Sequence, residues 1–528
     1  MRLWRALCGI SGARAPSGPV GTALAQWEWR HAGAPLRLQG YRTQANEMTR
    51  VKPSMFNVTV PLPGGDEVFI MNTFTDAQAI VSRDVVDLLD RIDRTADASS
   101  PALAHPEREA VAALAAEGFV VESRAAERAR LDDWFRAFQD DCGEMRVTVL
   151  TTLQCNFACD YCIQGDHGDY NTRAGRMSLE TAARVVEWMA ERLDALEPSR
   201  LVVTFFGGEP LLNLPVLYHL AEQASDLAKA RGVELLINVI TNGLLLTPEV
   251  VDRLTPFGLN GVKVTLDGDR GTHDRLRPLR GGQGTFDRII DNLRQVAGKC
   301  RIAIGGNFDE TSVQSYPALL EFLKSQAFAP AISKVTFKPV IGRNGNGRGR
   351  TSKSSIPLTA VDDHGRPLQG ACMTSVGSGG SSPCDTCHFV DEQMSHLREE
   401  TKRAGFPTLD GVHMGPCEIH RRASFTVGPD GDLYACPGFA GEAQWSTGHI
   451  DGRESPQATR ANQEFANLAP WRQCDDCAFI PVCGGGCTVA SHNELGDMHA
   501  PTCHKSSFQS ALVSLAHERA GVQTGGLP

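Results

Sequence analysis

Between residues 146 and 340, apolar stretches alternate with amphipathic ones, and this alternation restricts the fold more than any other feature of the chain. Strands are predicted at 146–151, 201–206, 234–240, 262–266, 301–307 and 334–340. Helices are predicted at 179–195, 213–231, 247–255, 285–298 and 315–326. Such an order predicts an α/β fold with a parallel sheet and helical crossovers. Six units of this kind make a partial (β/α)6 TIM-like barrel, with functional residues at the C-terminal ends of the strands.

Three cysteines follow the first predicted strand, in the run Cys155-Asn-Phe-Ala-Cys159-Asp-Tyr-Cys162. Three thiolates from one loop can bind three irons of a [4Fe–4S] cluster and leave the fourth iron open to another ligand. A zinc site would need a fourth protein ligand, and zinc-binding cysteines usually occur as two separated pairs. The spacing therefore favours an iron–sulfur cluster over zinc at this loop.

Two other strand ends carry residues that can contact a ligand. The second strand ends in Phe205-Phe-Gly-Gly-Glu-Pro210, where glycines allow close approach to the backbone and a glutamate can accept a hydrogen bond from an ammonium group. The fourth strand ends at Thr265, and Arg277 follows. His273 has no acid at a pairing distance in the sequence and is predicted to be a structural hydrogen-bonding residue.

The C-terminal third contains seven cysteines in a regular pattern. They are Cys417, Cys436, Cys474, Cys477, Cys483, Cys487 and Cys503, with Gly431 between the first two. Further cysteines at Cys372, Cys384 and Cys387 precede this pattern, whereas Cys8, Cys142 and Cys300 are interpreted as ordinary thiols. Sixteen cysteines with such spacings in a chain of 528 residues indicate metal binding in a reducing compartment, which predicts a cytoplasmic protein.

Taken together, the cysteine loop and the Gly-Gly-Glu-Pro element resemble the radical S-adenosylmethionine (AdoMet) enzymes, and the seven later cysteines resemble their SPASM extension. The resemblance covers roughly residues 56–505. It implies that Cys155, Cys159 and Cys162 bind a [4Fe–4S] cluster whose open iron is chelated by AdoMet. It also implies a set of cofactor-binding residues, namely Tyr161, Gly207, Gly208, Glu209, Thr265 and Arg277. Cleavage of the bound AdoMet would give a 5′-deoxyadenosyl radical.

The same resemblance implies two auxiliary clusters, for a total of three [4Fe–4S] clusters. One is expected on Cys474, Cys477, Cys483 and Cys503, and the other on Cys417, Cys436 and Cys487. The second lacks its usual fourth ligand, because residues 411–416 contain no cysteine. Cys387 or Cys384 is the candidate, and with neither bound the cluster keeps an open iron that can ligate a substrate thiolate. Two structural zinc sites are the alternative, but zinc carries no electrons.

The implied activity is peptide maturation, in which the radical abstracts hydrogen from a ribosomally synthesised precursor peptide and a thioether, C–C or C–O cross-link forms. A flavodoxin- or ferredoxin-type electron donor is the implied partner. An anaerobic sulfatase maturase, which forms formylglycine, is the alternative; it carries an aspartate where this chain has Pro437. Asp430, Asp432 and Glu442 are the candidate substitute bases. A non-catalytic iron–sulfur scaffold or redox sensor is an alternative of another class.

The expected domain organisation has six parts. They are residues 1–47, a presequence or a misassigned start with Met48 or Met55 as the true one; 48–140, a small N-terminal α+β module that grips a leader peptide or caps the barrel; 141–341, the partial barrel; 342–410, a linker or bridging region; 411–510, the cysteine-rich SPASM domain; and 511–528, a C-terminal tail.

Charge and hydropathy exclude two classes of partner. The formal net charge of −10 argues against a protein that binds nucleic acid by neutralising phosphates. No run of about eighteen apolar residues is present, so no transmembrane helix and no membrane partner is predicted.

Overall fold

The computed structural model describes residues 51–94, 103–164, 174–340, 385–412, 415–453, 455–474 and 476–522, except for the side chains of 385–391 and 494. The expectations for residues 1–47, Cys372 and Cys384 therefore lie outside the described residues, as does the side chain of Cys387.

The N-terminal module contains two small sheets and three helices. Its elements are β1 (Lys52–Pro53), β2 (Asn57–Pro61), β3 (Glu67–Asn72), β4 (Gln78–Ser82), α1 (Arg83–Arg94), α2 (His105–Ala116), β5 (Val120–Val121) and α3 (Arg124–Asp140). Strands β2, β3 and β4 form an antiparallel sheet, and β1 pairs with β5. The sequence did not predict β4 or α3, since β4 joins α1 without a turn and α3 is rich in charged residues.

The barrel follows the predicted order. Its strands and helices are β6 (Glu144–Thr152), α4 (Leu179–Leu196), β7 (Arg200–Gly207), α5 (Leu214–Arg231), β8 (Glu234–Thr241), α6 (Pro248–Leu254), β9 (Leu259–Thr265), α7 (Arg270–Leu276), α8 (Phe286–Val296), β10 (Arg301–Phe308), α9 (Tyr316–Lys324) and β11 (Ile332–Pro339). All six strands are parallel and neighbour each other in chain order. The predicted α/β fold with a partial barrel is therefore confirmed, and only the short helix α7 was missed.

The cysteine-rich region extends the barrel sheet. Its elements are α10 (Asp385–Arg403), β12 (Ser424–Val427), β13 (Asp432–Tyr434), β14 (Gly448–His449), α11 (Pro456–Ala466), α12 (Ile480–Cys483), α13 (Thr488–Ala490) and α14 (Lys505–Arg519). Strand β12 pairs in parallel with β6, on the edge opposite β7, and gives a nine-stranded sheet in the order β11-β10-β9-β8-β7-β6-β12-β13-β14. The first strand of the barrel is thus central in the sheet.

Part of the expected linker or bridging region is packed structure. Helix α10 and the residues after it lie within 342–410, and Leu397, Ala404 and Phe406 are buried in the main core of the barrel. Val335 of β11 donates its N–H to Pro407 O. Residues 392–410 therefore form a packed bridging segment that covers β11 at the open side of the barrel.

The expected C-terminal tail is also ordered in its first part. Helix α14 spans residue 511, and Leu512 and Leu515 pack against Phe69 and Met71 of β3. The N-terminal module also contacts the cysteine-rich region through Phe135 of α3, which stacks on Trp471 with ring centroids 3.8 Å apart. The module is therefore held against the C-terminal region.

Within the described residues, no helix combines the length and the apolar composition that crossing a bilayer requires.

Replacing Leu512 by alanine tests the role of α14. Leu512 is 3% exposed, so the cavity left by the truncation should lower the free energy of unfolding by about 2–5 kcal/mol. Its neighbour Val513 is 40% exposed, and Val513→Ala should change stability by less than about 0.5 kcal/mol. Urea denaturation followed by tryptophan fluorescence measures both; equal midpoints would show that α14 contributes nothing to the fold.

Candidate functional site

The cysteine loop is held directly against the end of β7. Gly208 N–H donates to Thr152 O at 3.0 Å, and Glu209 N–H donates to Gln154 O at 2.8 Å. A Cβ atom on Gly207 would lie 2.3 Å from Thr152 O, and one on Gly208 would lie 2.1 Å from Gln154 O. The two glycines therefore allow a backbone-to-backbone contact that brings the cysteine loop onto the strand end, besides any room that they leave for a ligand.

Glu209 is completely buried at this junction. Its carboxylate accepts hydrogen bonds from Leu211 N–H at 3.0 Å, Thr241 Oγ1 at 2.7 Å and Asn242 N–H at 2.7 Å. Burial raises the pKa of Glu209, and these hydrogen bonds oppose that effect. A carboxylate has about four acceptor positions, so three donors leave capacity for one more, which fits an ammonium group.

Asn242, which follows β8, joins the cysteine loop to the rest of the site. Its Nδ2 lies 2.7 Å from Asn156 Oδ1 and 3.9 Å from Cys155 Sγ. The loop is therefore fixed from two strand ends, β7 and β8.

A buried group of Tyr161, Asp267 and Arg277 forms the opposite side of the site. Tyr161 donates its hydroxyl to Asp267 Oδ2 and accepts from Arg277 Nη1 at 2.7 Å. Arg277 Nη1 is also 3.5 Å from Asp267 Oδ2. Burial raises the pKa of Asp267, an effect that the neighbouring guanidinium opposes. Tyr161, expected among the cofactor-binding residues, is thus a polar partner of Arg277 as well as a packing residue.

The guanidinium of Arg277 retains an unused donor. Its Nε is buried and has no hydrogen-bond partner in the described structure, which fits a residue that awaits an anionic ligand. Thr265 lies at the C-terminal end of β9, where it pairs with Gly305 of β10. These residues suit the carboxylate of AdoMet, and Glu209 suits its ammonium group.

His273 has a structural role, as the sequence predicted. Its Nδ1 accepts from Asp267 N–H at 3.2 Å, and its Nε2 lies 3.1 Å from Thr285 Oγ1. Burial holds the pKa of His273 well below its usual value, so the ring is neutral at physiological pH.

The loop thiols are disfavoured as bare anions. Burial, followed by the negative charge of Glu209, raises the pKa of Cys155 to about 11, and burial raises that of Cys159 as well. Cys162 adds to the rise at both thiols, and Cys155 adds to the rise at Cys159, so the three thiols lie near one another. Bound iron would compensate the thiolate charge, so cluster binding would release protons here.

The C-terminal cysteines include two groups of thiols that affect each other's pKa. Cys474, Cys477 and Cys503 each raise the pKa of Cys483, after the larger effect of its burial. The four thiols line a cavity of about 60 Å³. In the other group, burial raises the pKa of Cys436, and Cys417 and Cys487 add to the rise.

Among the described residues, no three His, Cys, Asp or Glu side chains lie close enough to share a single metal ion. The thiols of each group are nevertheless near enough to raise each other's pKa. A [4Fe–4S] cluster is compatible with both observations, because each thiolate then binds a different iron.

A direct contact joins the first cysteine loop to the C-terminal region. Gln164 lies two residues after Cys162, is 6% exposed, and donates its Nε2 to Pro437 O at 2.9 Å. Pro437 follows Cys436. The first cysteine loop and one auxiliary cysteine group are therefore neighbours across the mouth of the barrel.

The three candidate bases surround Tyr434 of β13. Burial raises the pKa of Tyr434 to about 12, and Asp432, Asp430 and Glu442 add to the rise. The carboxylates are therefore near one another. Asp430 also lies beside Gly175, where a Cβ would be 3.4 Å from Asp430 Oδ2.

Sequence reasoning missed several residues of this site. Thr241 ends strand β8 and Asn242 follows it, Asp267 lies two residues after the end of β9, and Gln164 lies two residues after the last loop cysteine. The available signal was a polar residue at the C-terminal end of each neighbouring strand, followed by a glycine with positive φ at Gly243 and Gly268.

Comparison with known proteins identifies the fold. The Radical SAM superfamily profile matches residues 149–306. The solved structure titled "Native anSMEcpe with bound AdoMet" superposes with a TM-score of 0.51 at 16% identity, over 71% of this chain and 98% of that chain. A likeness at this identity establishes the fold alone.

Curated relatives extend this comparison. GTP 3′,8-cyclase of Synechococcus sp. (strain WH7803) is 34% identical over 34% of this chain and 48% of its own length, so the chain spans about half of that relative. Fe-coproporphyrin III synthase of Methanosarcina barkeri is 27% identical over 67% of this chain and 86% of its own length. Mycofactocin maturase MftC of Mycobacterium tuberculosis is 30% identical over 65% of this chain and 78% of its own length.

The partial barrel, its cysteine loop and these matches define a radical SAM protein, a class whose enzymes use a [4Fe–4S] cluster and AdoMet. More particularly, the chain belongs to the radical SAM/SPASM maturase family.

Gly208→Ala tests the contact between the cysteine loop and β7. The new Cβ would overlap backbone atoms, so the loop must shift, and AdoMet affinity of the reconstituted protein should fall about tenfold or more. Isothermal titration under anaerobic conditions measures the affinity. Gly271→Ala is the matched control, because the nearest atom to its Cβ lies 3.9 Å away; equal affinities in the two variants would contradict the close contact.

Proposed function

We propose that this chain is a radical SAM peptide maturase that takes hydrogen from a ribosomally synthesised precursor peptide and installs a thioether, C–C or C–O cross-link. The observation that carries the proposal is the hydrogen bond from Gln164 to Pro437 O, which sets an auxiliary cysteine group beside the cysteine loop. The similarity to MftC, a protein named as a maturase, supports a peptide as the substrate.

The chain's own residues orient the cofactor. Glu209 would accept a hydrogen bond from the ammonium group of AdoMet, and Arg277 with Thr265 would bind its carboxylate. Tyr161 and Asp267 keep the guanidinium of Arg277 in place. When bound, the cluster on Cys155, Cys159 and Cys162 and AdoMet supply the 5′-deoxyadenosyl radical that abstracts hydrogen. Burial of these polar groups excludes water from the reacting atoms.

We infer three [4Fe–4S] clusters in all. The two further groups of thiols would hold auxiliary clusters, which take up the electron released when the new bond forms. A fourth protein ligand for the group containing Cys436 would come from Cys387 or Cys384. A flavodoxin- or ferredoxin-type donor is the proposed source of the electron that starts the reaction.

Formylglycine formation is the outcome that a sulfatase maturase would give. Pro437 replaces the aspartate expected in that activity, and its carbonyl is engaged by Gln164. Asp430, Asp432 and Glu442 lie around Tyr434, so a base for the substrate would have to come from that group.

Iron analysis tests the cluster assignment. The reconstituted protein should contain about twelve irons, and Cys483→Ser should lower this to about eight, because one cluster loses a ligand. Cys300→Ser is the matched control. Cys300 is partly buried and directly precedes β10, away from all three cysteine groups. Unchanged iron in Cys483→Ser would contradict an auxiliary cluster at this group.

The activity is tested by anaerobic co-expression with a short peptide encoded beside the gene, followed by intact and tandem mass spectrometry. We expect loss of two hydrogens per event and suppressed fragmentation between the joined residues. Cys155→Ala should abolish the change. An unmodified peptide, together with an aldehyde at the active-site Cys or Ser of a co-expressed sulfatase, would replace this proposal with formylglycine formation.

A further inference from the structure

Lys263 is a charged residue inside the barrel. Its neighbours Val262 and Val264 on β9 are buried in the core that the helices cover, so Lys263 faces the opposite side, the interior, together with Thr265. In the sheet it lies between Ile240 of β8 and Ala303 of β10.

The side chain of Lys263 extends towards the cofactor site. A Cβ atom on Gly305 would lie 2.6 Å from Lys263 Cε and 3.4 Å from its Nζ. Gly305 pairs with Thr265, one layer nearer the C-terminal ends of the strands. The lysine therefore passes through the space that a side chain at Gly305 would fill, and its ammonium group reaches the level of Thr265.

Two more lysines alternate on β11, the last strand of the barrel. Val335 faces the covered core, so Lys334 and Lys338 face the interior. Both charges act on Lys263. Lys338 also acts on Cys436, which belongs to an auxiliary cysteine group. Positive charge therefore lies between the AdoMet site and that group, where a substrate must bind.

Two surface lysines of the described structure illustrate the usual pairing with acidic side chains. Lys299 contacts Asp252 at 2.8 Å, and Lys324 lies 3.9 Å from Glu321. For Lys263, by contrast, the described residues provide no hydrogen bond or ion pair. Burial, assisted by Lys338 and Lys334, lowers its pKa to about 7. An amine in this environment is stabilised in its charged form by a bound anion.

We propose that Lys263, assisted by Lys338, binds a carboxylate of the peptide substrate beside the residue from which hydrogen is taken. The carboxylate comes from an Asp or Glu side chain or from the C-terminus of the peptide. This inference rests on the proposed peptide-modifying function, and it adds the chemical class of the residue that the barrel interior recognises.

A labelling experiment tests binding without turnover. The reconstituted full-length enzyme, with AdoMet, is treated with trace acetic anhydride, and acetylation of Lys263 and Lys324 is read by mass spectrometry. The co-encoded peptide at tenfold excess over its Kd should protect Lys263 about tenfold. Lys324, exposed on α9, should stay unprotected. Equal labelling of Lys263 with and without the peptide overturns the inference, even if the peptide is modified.

Kinetics on peptide variants identify the source of the carboxylate. Versions with each Asp or Glu changed to Asn or Gln, and one with a C-terminal amide, are compared with the parent. Replacement of the one carboxylate that Lys263 binds should lower kcat/KM of the wild-type enzyme about 10- to 100-fold. With the Lys263→Met enzyme, kcat/KM for the parent peptide should be reduced to the same extent. The same replacement in the peptide should then lower kcat/KM no further.

Three results overturn the carboxylate site. One is that every peptide version reacts at the parent rate. Another is that Lys263→Met slows the parent and the neutral version by the same factor, which indicates a structural role. The third is that Lys263→Met raises the KM of AdoMet and leaves that of the peptide unchanged. A further outcome separates the two proposals. If the peptide protects Lys263 from acetylation but the wild-type enzyme does not modify it, the proposed function is rejected and the binding site is retained.

Discussion

The parallel pairing of β12 with β6 attaches the cysteine-rich region to the barrel. Strand β6 carries the cysteine loop at its C-terminal end and bonds to β7 on its other edge. Since hydrogen-bonded strands lie about 4.8 Å apart, the turn after β12 emerges beside the residues that follow β6. Strand β13 then runs antiparallel to β12 and leads to Cys436 and Pro437. The hydrogen bond from Gln164 to Pro437 O joins this segment to the cysteine loop.

Within the barrel, buried polar residues are present because they hold one another in fixed positions. Glu209 uses donors from two strand ends, and Tyr161, Asp267 and Arg277 form a closed group around one guanidinium. Each would be costly in isolation, since removing one partner leaves another buried and unsatisfied. Such sets of residues specify a geometry more strictly than apolar packing does. They give the cofactor site its rigidity, whereas Lys263 differs from them in having no partner in the described structure.

Much of the barrel could be predicted from the chain. Each of the six strands begins and ends within about three residues of its predicted position, because apolar runs between amphipathic helices leave few other topologies. The prediction failed where local sequence and tertiary packing disagree. Helix α3 is highly charged, and its buried residues Leu131, Phe135 and Phe138 hold it in place. The chain from residue 511 continues a packed helix, because β2 and β3 present an apolar face to it.

The sequence by itself determined the order of the barrel and the identity of the thiols, because these depend on periodicity and residue type. The tertiary structure alone decided that Gly207 and Gly208 contact the cysteine loop, that Tyr161 and Asp267 hold Arg277, and that Lys263 shares an interior with Lys338. These features depend on the register between strands far apart in sequence. A shift of one residue turns each side chain to the other face of the sheet, and no local pattern records that choice.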